Sequence, residues 1–169
     1  MEVDAGHQAL DAIAGSLGDR LHASQFRGDL CWTVPADSVY SVLTRLRDEA
    51  GMAMLIDVTA VDLLEMPEAT DRFRVVYLLL DPESGRRLEV RTMVNDPNPQ
   101  LPSVFPLWRS ADWLEREVFD MFGISCPGHP DLRRLLLPPE FVSHPLRKDY
   151  PLAGRGERHN VPVLTRAES

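Results

Sequence analysis

The sequence predicts an α+β domain of two layers, helices against a mixed β-sheet in the order αββαβββα, followed by an extended C-terminal arm. Three observations carry this. Helix-period and strand-period segments occur in that order along the chain. The composition of 169 residues, 44% of them hydrophobic, supports one core and does not require a second. Beyond Gly123 the periodicity ends, and the last 46 residues hold 7 of the 14 prolines. The reading places the globular domain at residues 1–125 and the arm at 126–169.

In "HQALDAIAGSLG", Leu10, Ile13, Ala14 and Leu17 fall at i, i+3, i+4 and i+7, with Gly18 as a stop, which predicts the first helix. The runs "LHASQF" and "LCWTV" flank "RGD" at 27–29. A glycine turn between two such runs predicts a hairpin, and the tripeptide reads as its turn, not as an adhesion motif. "DSVYSVLTRLRDEAG" repeats the helical spacing at Val39, Val42, Leu43 and Leu46, and Gly51 ends it.

Three extended segments follow, at 52–61, 73–80 and 86–94, with "DPESG" as the loop of a hairpin between the last two. Apolar residues on both parities of 75–80 predict a central strand. In the third segment Leu88, Val90, Thr92 and Val94 alternate with Arg87, Glu89 and Arg91, which predicts one wet face. "DPNPQLPSVFP" is too rich in proline for a helix or a central strand. It leads into a last helix, "SADWLEREVFDMFG", with Ser110 expected as N-cap, Asp112 at the positive helix end and Gly123 at the left-handed C-terminal position.

On a helical wheel Leu114, Val118, Met121 and Phe122 form the stripe of this last helix that packs on the sheet. Arg116 and Asp120 are expected on the other side, as an i, i+4 pair contributing about 0.2–0.5 kcal/mol if exposed. Glu117 flanks the stripe and is the acid expected to be partly buried. The acids Glu115, Glu117 and Asp120 admit three readings: a solvated helix face, a paired-carboxylate site, or a set of holders for basic groups of the tail or a partner.

The charge distribution sharpens the third reading. Residues 1–125 carry 11 Lys and Arg against 21 Asp and Glu, whereas residues 126–169 carry 7 against 5. A formal net charge of −8 argues against nucleic-acid binding. No run approaches the roughly 18–20 apolar residues of a membrane span, and the N-terminus shows no signal pattern. Cys31 and Cys126 form neither a disulfide framework nor a thiolate cluster.

Cys126, His129, His144 and His159 include metal-ligand types, but only the Cys126 to His129 gap is familiar. His129 and His144 each precede a proline, where a turn-stabilising side chain is the commoner role. A metal-dependent enzyme built on them is the reading from a different functional class. Phosphate loops, nucleophile elbows and iron–sulfur cysteine patterns are absent from the sequence, which leaves no visible means of redox or hydrolytic chemistry. The arm spaces Leu132, Leu135, Leu136, Leu137, Phe141, Leu146, Tyr150 and Leu152 through its prolines. Such anchors suit a segment lying extended across a surface, part its own body and part a partner.

In succession, "WLEREVFDMFGI", "GHPDLRRLLLP" and "HPLRKDYPL" resemble the signature of the C subunit family of NADH-quinone oxidoreductase, respiratory complex I. Upstream, "LIDVTAVD" and "PSVFPLWRSADW" resemble it in sequence and order. The resemblance is strong over residues 52–152 and one of pattern only before that. It implies a hydrophilic, non-catalytic subunit of the peripheral arm on the cytoplasmic side of the inner membrane, with membrane contact only through the complex. Its partners would be the quinone-site large subunit, wrapped by the C-terminal strip, and the subunit bearing the terminal iron–sulfur cluster. NADH, FMN, iron–sulfur clusters and quinone would be bound by other subunits, with no cofactor, metal or catalytic residue in this chain.

The family's helix charges map onto Glu115, Arg116, Glu117 and Asp120. Its tail positions map onto His129, Arg133, Arg134, His144, Arg147, Lys148 and Asp149. The arginines are expected to make charge-assisted bonds to carboxylates or carbonyls where subunits meet. Cys126 stands where the family often has an aromatic residue. Ser143 stands where glycine is usual, implying a turn without positive φ. Equivalent subunits of membrane-bound hydrogenases or of plastoquinone- or ferredoxin-linked complexes share the resemblance.

Overall fold

The computed structural model describes residues 2–156, with side chains from residue 6. The expected element order is realised. Helix α1 (Glu2–Leu17) runs into a short 3-10 turn, and β1 (His22–Phe26) and β2 (Asp29–Thr33) follow as a hairpin. Next come α2 (Val39–Glu49), the strands β3 (Met54–Asp62), β4 (Phe73–Leu80) and β5 (Arg87–Val94), and α3 (Ala111–Phe122).

Phe26 pairs with Asp29, so Arg27 and Gly28 alone form the first turn. Their φ values of 53° and 95° are the positive pair a two-residue type I′ hairpin demands. The "RGD" triplet is therefore this turn and the first residue of β2.

The sheet order is β1-β2-β5-β4-β3, with β2 and β5 parallel and every other pair antiparallel. The chain leaves β2, crosses through α2 and lays down β3 and β4 before β5 closes the gap beside β2. β4 is interior, and Val75, Val76, Tyr77 and Leu79 are buried on both its faces. On β5, Leu88, Val90, Thr92 and Val94 are buried while Glu89 and Arg91 are half-exposed, the expected single wet face.

All three helices share one apolar cluster with the inward side of the sheet: Ile13 from α1, Leu43 and Leu46 from α2, Val118 and Met121 from α3, against Phe73, Leu79 and Val90. Burying each such large side chain contributes about 1.5–3 kcal/mol. The helices therefore form one layer, and the opposite face of the sheet carries Arg74, Glu89 and Arg91.

Ser110 does not cap α3. Its hydroxyl donates to Leu55 O at 3.2 Å, and Trp108 Nε1 donates to Ala53 O at 3.1 Å, so the segment before α3 covers part of the β3 edge. Sheet-edge carbonyls competed successfully for the hydroxyl. Gly123 does take the left-handed position, with φ 74° and its N–H on Phe119 O. The proline-rich segment before α3 lies beside the residues after it: Leu101 N donates to Ser125 O, Ser125 N to Pro99 O and Ser103 N to Pro127 O.

Candidate functional site

An α-helix leaves its last four carbonyls without helical partners. At α3 the first of them, Phe119 O, receives the Gly123 N–H, and the arm supplies the other three. His144 Nδ1 donates to Asp120 O at 3.0 Å, Leu146 N to Met121 O at 3.1 Å and Arg147 Nε to Phe122 O at 2.6 Å. Cationic Arg147 also lies at the negative end of the helix, where the macrodipole favours it.

The arm reaches that point by tracing α3 twice. It first runs back to the N-terminal turn, where His129 Nε2 donates to Asp112 O and His129 Nδ1 accepts the Asp131 N–H, each at 3.0 Å. This pairing takes the tautomer with its proton on Nε2, and it makes His129 the turn-stabilising residue its proline neighbour suggested. The chain then returns along the helix. Arg116 donates to the carbonyls of Arg133 and Arg134, both at 3.2 Å.

Asp120 is fully buried and forms the centre of the arrangement. Its Oδ2 accepts the N–H groups of Leu135, Leu136 and Leu137 at 3.0, 2.8 and 3.0 Å, and its Oδ1 accepts Arg134 Nη1 at 2.6 Å. Burial alone would push this carboxyl up; the three backbone donors and Arg134 outweigh it and hold it below the usual carboxylate range. Close over the same helix end, His144 Nε2 sits 2.6 Å from where a Cβ on Gly123 would lie. Burial pushes the His144 imidazole down, as do Arg134 and Arg147, against the raising effect of the Asp120 carbonyl.

Two further carboxylates fix the surroundings. Glu115, buried, accepts Ser103 Oγ and the Val104 N–H at 2.6 Å each, and so ties the proline-rich segment to α3. Its burial outweighs these bonds and raises its carboxyl. Asp62, at the end of β3, accepts the Lys148 N–H at 2.8 Å and Arg72 Nη2 at 2.9 Å, and Arg72 also reaches Asp149 at 2.9 Å. Arg147 lies 3.4 Å from Asp96 and stacks 5.0 Å from the Phe73 ring centre.

The structure corrects three expectations. Arg116 and Asp120 are not an exposed pair: both are buried, and each turns to the arm instead of to the other. Glu117 is exposed, whereas Glu115 and Asp120 are the buried acids. At Glu115 and Asp120 the helix is therefore not solvated, because the proline-rich segment before α3 covers Glu115 and the arm covers Asp120. The wheel ranked burial against the sheet alone and had no second covering layer.

Of the other sequence candidates, Arg133 is exposed and pairs with Asp131, and Lys148 contributes its backbone N–H. Ser143 has no positive φ, as its departure from glycine implied. Among the described residues no three His, Cys, Asp or Glu side chains gather as a metal site, and His159 lies outside those residues. Burial pushes the Cys126 thiol up.

Sequence reasoning missed Asp62, Arg72, Asp96 and Ser103. Asp62 left one signal: it continues the inward parity of Val58 and Ala60, where an acid needs partners. Taken together, the buried charges of Asp62, Arg116 and Asp120 are directed to backbone groups of the irregular arm. That is the chemistry of holding a strap in a defined path.

A family model for the respiratory-chain NADH dehydrogenase 30 Kd subunit matches residues 32–156. The NADH-quinone oxidoreductase C subunit of Trichlorobacter lovleyi is 46% identical over 151 residues, spanning 89% of this chain and 92% of the relative. Its counterpart in Phenylobacterium zucineum is 42% identical over 159 residues, 91% of this chain and 74% of the relative. Among solved structures, the trypsin-resistant fragment (1–134) of Nqo5 superposes with a TM-score of 0.68 at 32% identity, over 78% of this chain and all of that one. A chain of the membrane-bound sulfane sulfur reductase, an archaeal respiratory membrane complex, superposes with a TM-score of 0.73 at 27% identity, over 95% and 94%. Helix α3 and the arm as far as residue 156 lie within the matched span, and the chain belongs to the 30 Kd subunit family of the respiratory-chain NADH dehydrogenase.

Proposed function

We propose that the chain is a non-catalytic subunit of the peripheral arm of proton-translocating NADH:quinone oxidoreductase. In this reading it holds the quinone-site large subunit and the subunit with the terminal iron–sulfur cluster, on the cytoplasmic side of the inner membrane. NADH, FMN, iron–sulfur clusters and quinone are bound by other subunits. The observation that carries it is a segment pinned from beneath by buried polar bonds while it turns apolar residues outward: Leu136, Val142 and Leu146 are 62%, 78% and 50% exposed. An ordered strap with an apolar outer side suits a second protein surface. No described helix is long and apolar enough to cross a membrane, which fits attachment through other subunits.

The likeness to the archaeal sulfane sulfur reductase chain favours a second reading, the equivalent subunit of another membrane-bound redox complex such as a hydrogenase or a plastoquinone- or ferredoxin-linked enzyme. Affinity purification of the tagged chain from gently solubilised host membranes separates the two. Recovery with iron–sulfur and quinone-site subunits and NADH-quinone activity supports the first. Recovery with a redox complex inactive towards NADH supports the second. Recovery of the chain by itself refutes both.

A further inference from the structure

We infer that the loop joining β3 to β4, residues 63–72, is a second docking surface, and that it takes an apolar segment flanked by Lys or Arg on a neighbouring subunit. The inference rests on the assembly role proposed above and adds a contact outside the arm.

The loop is long for its position. Ten residues separate Asp62 from Phe73, where antiparallel neighbours usually need about 2–5. It is also tightly built. Leu63 N donates to Arg72 O at 2.8 Å, Met66 N to Leu63 O at 2.9 Å and Ala69 N to Met66 O at 3.1 Å. Asp62 Oδ1 accepts the Leu64 N–H, and Asn95 holds both Asp71 and the Arg72 N–H. Yet residues 64–70 are all exposed, with Leu64 at 51% and Met66 at 55%.

A defined loop that holds two large apolar side chains in water gains by covering them. Glu65 lies between them and Glu68 two residues after Met66, and among the described residues neither has a cation partner. Electrostatic complementarity then asks for Lys or Arg beside the apolar residues of the occupant. The same charges disfavour a nucleic acid or an anionic lipid surface.

The loop also shares its foundation with the arm. Asp62 binds Leu64 N on the loop side and Lys148 N on the arm side, and Arg72 closes the loop while holding Asp149. A neighbour lying along the arm near residue 148 therefore lies beside this loop.

The test places a photo-crosslinking residue at Met66 in the full chain, expressed in the host, and irradiates the purified complex. The expected product joins this loop to another subunit, at a peptide with an apolar run flanked by Lys or Arg. Introducing Glu65→Lys with Glu68→Lys should cut that product about tenfold, since reversed rim charges repel a basic partner. Both sites are exposed, so thermal unfolding of the double variant should match wild type. A complex that retains the chain but gives no crosslink overturns the loop proposal alone. So does a product confined to a second copy or to residues 157–169 of this chain. Failure of the unmodified tagged chain to co-purify with any redox complex overturns the assembly role and the loop proposal together.

Discussion

Replacing Asp120 with Asn keeps the shape of the side chain and removes its charge. The amide oxygen can stand in for Oδ2 beneath the N–H groups of Leu135, Leu136 and Leu137, but its NH2 then faces the Arg134 guanidinium, donor against donor. The opposite rotamer sets the NH2 against three N–H groups. Either way a buried, hydrogen-bonded ion pair is broken, which costs about 3–5 kcal/mol. The arm can escape part of this by lifting into water, so the loss should show first as local opening. A loss of about 3 kcal/mol raises the opening constant about a hundredfold or more. Hydrogen exchange of the amides of residues 135–137 reads this directly. Should arm and body open together, the unfolding midpoint falls by roughly 6–20 °C, at about 2–4 °C per kcal/mol. The pH dependence has a definite sign. The Asp120 carboxyl is held below its ordinary value of 3.8, so its stabilisation is complete above that pH and lost as pH falls through the depressed value. Wild type should lose protection at 135–137 in acid, and the variant should lack that step. Unchanged protection of these amides in the variant at neutral pH would refute the role given to Asp120.

Glu115 should behave in the opposite sense. Its carboxyl is raised above 4.5, so its contribution is complete below that pH and lost as pH rises through the folded value. Glu115→Gln can accept from Val104 N and donate to Ser103 Oγ, and its stability at neutral pH, read from thermal melts, should stay within about 1 kcal/mol of wild type or rise. Glu115→Ala, which strands the buried Val104 N–H, should lose about 1–3 kcal/mol in the same melts; a glutamine variant as damaged as the alanine one would contradict this account. Gly123→Ala should cost about 1–2 kcal/mol for a left-handed residue and displace His144, whose Nε2 lies 2.6 Å from the added Cβ. Exchange of the amides of Leu146 and Arg147 reports the displacement, and unaltered protection there would count against the cap.

The element order, the stripes of α1 and α2, the interior position of β4 and the wet face of β5 were all legible in the sequence. Each is set by the periodicity with which a chain must bury its apolar side chains, and that periodicity is local. Gly123 was legible for the same reason, because a helix stop is written in one residue. Ser110 was not, since its hydroxyl was claimed by a β3 carbonyl 55 residues away in sequence.

The acids of α3 show the limit most clearly. The sequence raised the possibility that they hold basic residues of the tail, but local pattern could not tell which acid does so. Glu115, Glu117 and Asp120 look alike on the helix, and the wheel chose Glu117. What separates them is the long-range closure of residues 103–104 on Glu115 and of residues 134–137 on Asp120. The sequence by itself determined the elements, the single core, the family and the presence of an irregular strap. Only the tertiary structure decided that Asp120 and Asp62 are its anchor points, because an anchor is defined by which backbone groups arrive beside a buried charge, and no local period encodes that arrival.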